Sequence, residues 1–411
     1  MPYISSFWLY FDVLWPYVLA VLSALVLITF MLLSAIFFVW LERKVSARIQ
    51  DRLGPTRVGG KYGWLQTLAD GLKLLVKEDI IPTNADPMLF RIGPYIALAG
   101  AFLAFIALPF GNGVVARNLN IAIFFMLAVM STEIFGIILG GYASGSKWAL
   151  FGGMREAAQI VSYEVPRAIS VIVPVIVAGS MNLTEIGKQQ TGPFWNWIVF
   201  HDPFTFCAFW VFFTCATASC KRAPFDLAEA ESELVAGFHT EYSGFRWLIF
   251  FMAEYGSMFA VSGIASILFL GGWHLGLLPP GWDMERLFGT VFGNFINVVV
   301  FILKGWFLVF VMMWVRWTLP RLRIDQVMIT CLRYLLPMSC FLLVGVSVWQ
   351  LVAAELTWLS LVNYLLAFGS LFLFGFMVFK AAATTAVSPT QLMPGAWPIA
   401  GSAGPHVTHK A

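Results

Sequence analysis

The chain has 411 residues, of which 60% are apolar and only 11% charged, where globular proteins average about 45–50% and about 25%. With a mean hydropathy of +0.81, a hydrated surface cannot be built from what remains. That excludes a soluble enzyme, a disordered chain and a secreted disulfide scaffold. The formal net charge is only +3, and the five cysteines show no Cys-x-x-Cys or Cys/His ligand spacing. The composition describes an all-α, polytopic integral membrane protein.

A bilayer core about 30 Å thick takes about 20 apolar residues per helix, and long apolar runs without alternation are helices rather than barrel strands. In chain order the predicted spans are 15–40, 92–111, 119–141, 160–180, 203–220, 246–271, 295–317, 335–354 and 360–380. These are eight core transmembrane helices and a ninth, parted from the eighth by a turn around Ser360. The first basic residue is Arg43, so no charged n-region precedes span one, which is expected to be retained. Between spans one and two, Trp64, Leu65, Leu68, Leu72, Leu75 and Val76 recur at helical spacing, with Lys61, Asp70, Lys73 and Lys77 largely opposite. This predicts an amphipathic helix over 61–79 lying in the interface plane; a plain surface anchor is the alternative. Residues 1–380 are read as one transmembrane domain, and the Ala/Pro/Gly/Ser-rich segment 381–411 as a poorly ordered tail.

Threading nine spans gathers 41–91, 142–159, 221–245, 318–334 and the C-terminal tail on one side. All basic residues except Arg117, Lys188, Arg286 and Lys304 fall there or on the adjoining helix ends. The positive-inside rule then places the N-terminus outside and the C-terminus in the cytoplasm or matrix.

Ionisable residues within spans are the first functional candidates, because each costs a few kcal/mol at the bilayer centre unless shielded or paired. Glu133, Glu164, Glu254 and Lys304 qualify. Several at similar depth point to a proton path; snorkelling or paired structural charges are the alternative. The loop before span six carries Asp226, Glu229, Glu231, Glu233 and Glu241, with Lys221 and Arg222 just upstream. Flanked by Pro224, Phe225, Leu234, Val235 and Phe238, this acidic loop is expected to pack and to titrate as a coupled group, rather than float as a solvated one. At the end of span one, Glu42, Arg43, Lys44, Arg48, Arg52 and Arg57 form a basic cluster, which alone reads as an anchor for lipid headgroups. No histidine lies mid-span for a membrane haem, and no nucleotide-binding or metalloprotease motif occurs. Any redox cofactor is therefore expected in another chain.

Glu42-Arg43-Lys44, followed by Arg52-Leu-Gly54-Pro55-Thr-Arg57-Val-Gly59, resembles the signature ending the first helix of one membrane subunit of respiratory complex I. That subunit, the H-subunit of the bacterial enzyme, is the counterpart of the first mitochondrially encoded NADH dehydrogenase subunit. Pro224-Phe-Asp226-Leu-Ala-Glu229-Ala-Glu231-Ser-Glu233 through Glu241-Tyr242, then Met252-Ala-Glu254-Tyr255, resembles that family's second signature. Gln66 through Lys73, Ser162-Tyr-Glu164 and Arg316 through Gln326 also match, in order over roughly 15–354. The sequence departs at Thr56, where the family usually has Asn, and in its ninth helix and tail.

The resemblance implies a membrane subunit of proton-pumping NADH:quinone oxidoreductase in a bacterial inner membrane, with no complete active site of its own. Its quinone chamber would involve Glu42, Arg43, Arg48, Arg52, Arg57, Asp70 and Lys73. Its proton relay would comprise Glu133, Glu164, Asp226, Glu229, Glu231, Glu233, Glu241 and Glu254. Quinone is then the substrate, and FMN and Fe–S clusters belong to partner subunits. The implied partners are the hydrophilic quinone-site subunits, the antiporter-like membrane subunits and lipid, with no nucleic acid. A sister complex with another electron donor, such as a membrane-bound hydrogenase, is the nearer alternative. A stand-alone proton-coupled transporter is the more distant one, since no internal repeat is evident.

Overall fold

The computed structural model describes residues 2–227, 231–279, 284–355 and 361–385, which contain no strand beyond one isolated bridge between Gly111 and Val114. The helices are α1 (Pro2–Ile49), α2 (Gln66–Val76), α3 (Pro87–Ala107), α4 (Ala122–Ser131), α5 (Glu133–Ala143), α6 (Lys147–Ala178), α7 (Leu183–Gln189) and α8 (Pro203–Ser219). They continue with α9 (Glu231–Leu234), α10 (Gly244–Phe269), α11 (Met284–Phe288), α12 (Thr290–Thr318), α13 (Ile324–Ile329), α14 (Leu336–Glu355) and α15 (Leu361–Thr385). The predicted turn at Ser360 and most of the predicted tail, 386–411, lie outside the described residues.

Among the described residues, seven helical runs are long and apolar enough to cross a membrane: Trp15–Ile49, α3, Ala122–Ala143, α6, α10, α12 and Ile324–Ala353. Two predicted spans are shorter. The fifth is α8, whose 17 residues reach only about 26 Å, and the apolar stretch of the ninth is Tyr364–Met377. Local signals fix several ends. Asp86 caps α3 by accepting from the Met88 and Leu89 amides, with Pro87 at the first position, and Asp202 with Thr205 makes a capping box on α8. The predicted amphipathic helix is shorter than 61–79. At Gly63 (φ 66°) a Cβ would lie 2.2 Å from the Pro55 carbonyl oxygen, so the chain turns there and α2 begins at Gln66.

The predicted third span runs as α4 and α5 with only Thr132 between them, its backbone still right-handed helical (φ −68°, ψ −19°) and its hydroxyl donating to the Val129 carbonyl (2.7 Å). The fourth runs further than predicted, since α6 begins at Lys147 and brings Arg155 and Glu156 onto the helix. At the centre stands α10, buried on every side from Ala253 to Phe269, as an all-round apolar helix must be. Phe259 on α10 meets the rings of Phe30, Phe105, Phe110 and Phe301 at centroid distances of 5.0–6.4 Å. Small residues let the neighbours approach: at Gly136 a Cβ would lie 2.6 Å from backbone atoms of Gly93 and Ala97 on α3. Helix α1 turns Tyr17, Val21, Val26 and Leu33 outward, consistent with a lipid-facing surface.

Candidate functional site

An apolar cavity of about 230 Å³ opens where α1, α2 and α10 converge. Leu32, Ala35, Ile36 and Val39 of α1, Leu68, Leu72 and Leu75 of α2, and Phe251 and Met252 of α10 supply its walls. The amphipathic pattern of α2 therefore turns its leucines toward a cavity wall rather than only toward lipid. The polar exceptions include an ion pair between Arg43 and Asp70, and Asp70 also accepts from Gln66 Nε2 at 3.2 Å. Trp40 stacks on Trp64 at 4.0 Å and donates to the Tyr62 carbonyl at 3.0 Å. Trp40 and Tyr62 also line a second cavity of about 180 Å³, together with Lys44, Arg48 and Arg52.

Next to the larger cavity runs a line of buried charge. Arg316 (α12) meets Glu42 (α1) at 2.7 Å. Glu42 also accepts from Tyr255 Oη (2.5 Å) and from Arg222, whose Nη1 lies 3.1 Å from both carboxylate oxygens. The Nε of Arg222 reaches Glu254 at 2.8 Å, and its guanidinium lies over the Tyr255 ring at 4.5 Å. The adjacent Lys221 pairs with Glu133 (3.0 Å) and Glu156 (2.9 Å), and Ser257 donates to Glu133 at 2.5 Å. Lys221 and Arg222 follow directly on α8, so one short turn of chain feeds cations to carboxylates on α1, α5, α6 and α10. Burial alone would lower the Lys221 pKa. Glu156, Glu133 and Glu254 outweigh it and raise the value, so the amine stays charged. Arg222 is held protonated in the same way, with burial opposed by Glu254 and Glu42.

Within these ion pairs, the four carboxylates Glu42, Glu254, Glu133 and Glu156 face the three cations Arg316, Arg222 and Lys221. Each of these carboxylates shares a cation with another, Glu42 and Glu254 at Arg222 and Glu133 and Glu156 at Lys221, so a change at one bears on its neighbour's pair. Beyond Glu133, Glu164 pairs with Arg167 at 3.7 Å, and a small cavity lined by Glu133, Glu164, Arg167 and Ser257 joins the two carboxylates.

The structure thus gathers Glu42, Glu133 and Glu254, sets Glu164 one small cavity away, and puts Arg43 and Asp70 on the larger cavity. Arg48 and Arg52 face the second cavity, while Arg57 and Lys73 are exposed and line neither. Of the acidic loop, Glu233 is exposed and bound to Arg155 (2.6 Å) and Arg321 (3.3 Å). The hydrogen bond from Arg155 holds its carboxyl below the usual range. Asp226 and Glu241 are half-buried, and Glu241 precedes Tyr242, which stacks on Phe90 at 4.0 Å. Glu229 and the side chain of Glu231 lie outside the described residues. Lys304 meets no charge-line residue. It donates to the Leu270 and His274 carbonyls, both at 2.6 Å, and lies 4.2 Å from the Trp197 ring.

Glu156, Arg167, Tyr255 and Ser257 escaped the reading of the sequence as functional groups, and Lys221 and Arg222 entered it only as flanks of the acidic loop. One signal was available: buried carboxylates in spans demand cations, and Lys221-Arg222 is the basic pair at the end of α8.

A family profile described as NADH dehydrogenase matches residues 22–347. The NADH-quinone oxidoreductase H-subunit of Chlorobium luteolum is 46% identical over 338 residues, covering 82% of this chain and 90% of that protein. The H-subunit of Chlorobaculum tepidum is 46% identical over 345 residues, covering 82% and 94%, and that of Anaeromyxobacter dehalogenans is 44% identical over 349 residues, covering 83% and 84%. The chain belongs to the H-subunit family of NADH-quinone oxidoreductase, and is a membrane subunit of that enzyme complex, with quinone as the complex's substrate and the other subunits as its partners.

Proposed function

We propose that this chain forms the membrane wall of the quinone-binding chamber and the start of the proton-coupling relay. The observation that carries the reading is the apolar cavity between α1, α2 and α10, whose wall helices α1 and α10 also bear Glu42 and Glu254 of the buried charge line. A quinone pairs an apolar tail with a ring that gains charge on reduction. Leucine walls with one ion pair, Arg43–Asp70, suit both halves. Arg48 and Arg52 in the second cavity, with Arg57 and Lys73 at the surface, extend the chamber toward the hydrophilic subunits. Those subunits hold the FMN and Fe–S clusters and deliver the electrons. Glu42 belongs to the charge line more than to the chamber.

Reduction of the quinone takes up two electrons and two protons and changes the charge in a low-dielectric space. The charge line responds because its carboxylates share their cations, so neutralising one alters the pairs of the others. A proton taken up near Glu42 or Glu254 weakens their hold on Arg222, and the neighbouring Lys221 carries the change to Glu133, Glu156 and onward to Glu164. Asp226, Glu229, Glu231, Glu233 and Glu241 form the acidic loop that reorders with it. The antiporter-like membrane subunits receive the signal. The excess of basic residues on the α2 side supports a cytoplasmic location for that side, with the N-terminus outside and the C-terminus inside, in a bacterial inner membrane.

The test is Ala35→Phe, which fills the cavity from α1. In the assembled complex, the variant raises the KM for a short-chain quinone and leaves NADH oxidation by an artificial acceptor upstream of the quinone unchanged. Unaltered quinone kinetics in an assembled Ala35→Phe complex would contradict the proposal.

A further inference from the structure

The stretch of α6 that carries Glu164 contains a defect. Pro166 has no amide hydrogen, so the carbonyl of Ser162, four residues earlier, loses its helical donor. A second defect faces it. Residues Thr330–Leu335, between α13 and α14, wind as a π-helix, a form found mostly as short irregular turns at functional positions. The two are joined by side chains. The Cys331 thiol of the π-helical turn donates to the Ser162 carbonyl at 3.0 Å. The Tyr163 hydroxyl of α6 donates to the Val327 carbonyl at 2.9 Å, where α13 runs into that turn. Ser162 Oγ also sits 3.7 Å from Met328 Sδ. Both Cys331 and Tyr163 are fully buried, so the contacts are shielded from competing water.

The residue after Tyr163 is Glu164. It lines a cavity of about 10 Å³ with Glu133, Arg167, Ser219, Cys220 and Ser257, about the size of one water site. Glu133 and Glu164 both line it, so where Glu164 points depends on how α6 is held beside Pro166.

We propose that Cys331 is a positioning residue: its thiol, seated on the carbonyl that Pro166 strands, holds α6 so that Glu164 faces the small cavity shared with Glu133. This rests on the relay reading above. Cys331 touches neither quinone nor any reacting group; it acts through Glu164. A serine at 331 retains the donor, and an alanine does not.

The experiment uses the assembled complex in closed vesicles, with Cys331→Ala, Cys331→Ser, Pro166→Ala and Pro166→Ala/Cys331→Ala. Cys331→Ala is expected to lower proton translocation per NADH oxidised about two- to fivefold, the factor that a net hydrogen bond of about 0.5–1 kcal/mol supplies. The KM for quinone stays unchanged, and Cys331→Ser recovers the loss. In the Pro166→Ala background residue 166 supplies its own amide, so adding Cys331→Ala changes little. Equal losses in both backgrounds, or a serine no better than alanine, overturn the proposal. The S–H infrared stretch, isolated by subtracting the Cys331→Ala spectrum, reads the contact without any proline variant. A band at the free-thiol position refutes the clamp even if the relay is real. Normal pumping by Glu164→Gln would instead remove the relay while leaving a shifted S–H band in place.

Discussion

Replacing Arg222 with methionine tests the charge line at the residue on which it turns. The guanidinium is fully buried, binds Glu42 and Glu254 and covers the Tyr255 ring. Methionine fills much of the volume but removes the cation from two buried carboxylates. Breaking a buried pair from one side costs about 3–5 kcal/mol, because the remaining charge stays desolvated. Glu42 keeps Arg316 at 2.7 Å and Tyr255 at 2.5 Å, so part of the line survives the substitution. The lost contact with the Tyr255 ring adds about 1–2 kcal/mol. Arg222→Met should therefore assemble poorly and dissociate at a markedly lower temperature, followed by native electrophoresis of heated membranes. Arg222→Met/Glu254→Gln removes both charges and should be more stable than Arg222→Met alone, whereas independent sites would add their losses. Arg222→Lys keeps the charge but not the fork that spans two carboxylates, and should fall between. An Arg222→Met complex as heat-resistant as the parent, or a double variant worse than the single, would refute the reasoning.

Gly136→Ala places a Cβ 2.6 Å from the Gly93 carbonyl and the Ala97 amide; the backbones must part, at about 1–3 kcal/mol, and the yield of assembled chain should fall, whereas Gly71→Ala, with open space around it, should not lower it. Glu233 has a depressed carboxyl pKa when folded, so its pairing with Arg155 stabilises above the unfolded value of about 4.3 and is lost as pH falls through the folded value. Limited proteolysis of the 231–243 segment should accelerate below that window in the parent, and Glu233→Gln should be cut faster at neutral pH with a flatter acid dependence. Lys304→Met leaves the Leu270 and His274 carbonyls without their shared donor, at about 1–3 kcal/mol, and should lower thermal stability while sparing the KM for quinone.

The apolar spans were legible because lipid demands long uninterrupted runs, and the segments at 92–111, 246–271 and 295–317 are helices with ends within a few residues or about a turn. Where the structure departs from the reading, the cause is local. The first half of α6 contains Gly152, Gly153, Arg155 and Glu156, which interrupt the apolar run without interrupting the helix, because the backbone of Gly237 packs against Gly152 and Lys221 pairs with Glu156. The tightened turn at Thr132, whose amide donates to the Val129 carbonyl three residues back, is invisible in an apolar stretch; Gly100 of α3 packs against it, since a Cβ there would lie 2.9 Å from the Thr132 hydroxyl. The charge line was half legible. Carboxylates in spans announced themselves, but their cations lie 88 residues away for Glu133 and 180 for Glu42, separations that periodicity does not encode. The acidic loop drew attention by its density, whereas the deeper chemistry sits on the two basic residues just before it.

The central claim is that the cavity between α1, α2 and α10 is where quinone meets this chain. A photoreactive short-chain quinone applied to the assembled complex, with labelled peptides identified by mass spectrometry, tests it most directly. Label on Ala35–Val39, Leu68–Leu75 or Phe251–Met252, displaced by excess unmodified quinone, is the predicted result. Displaceable label confined to other parts of the chain, or to other subunits only, would contradict it.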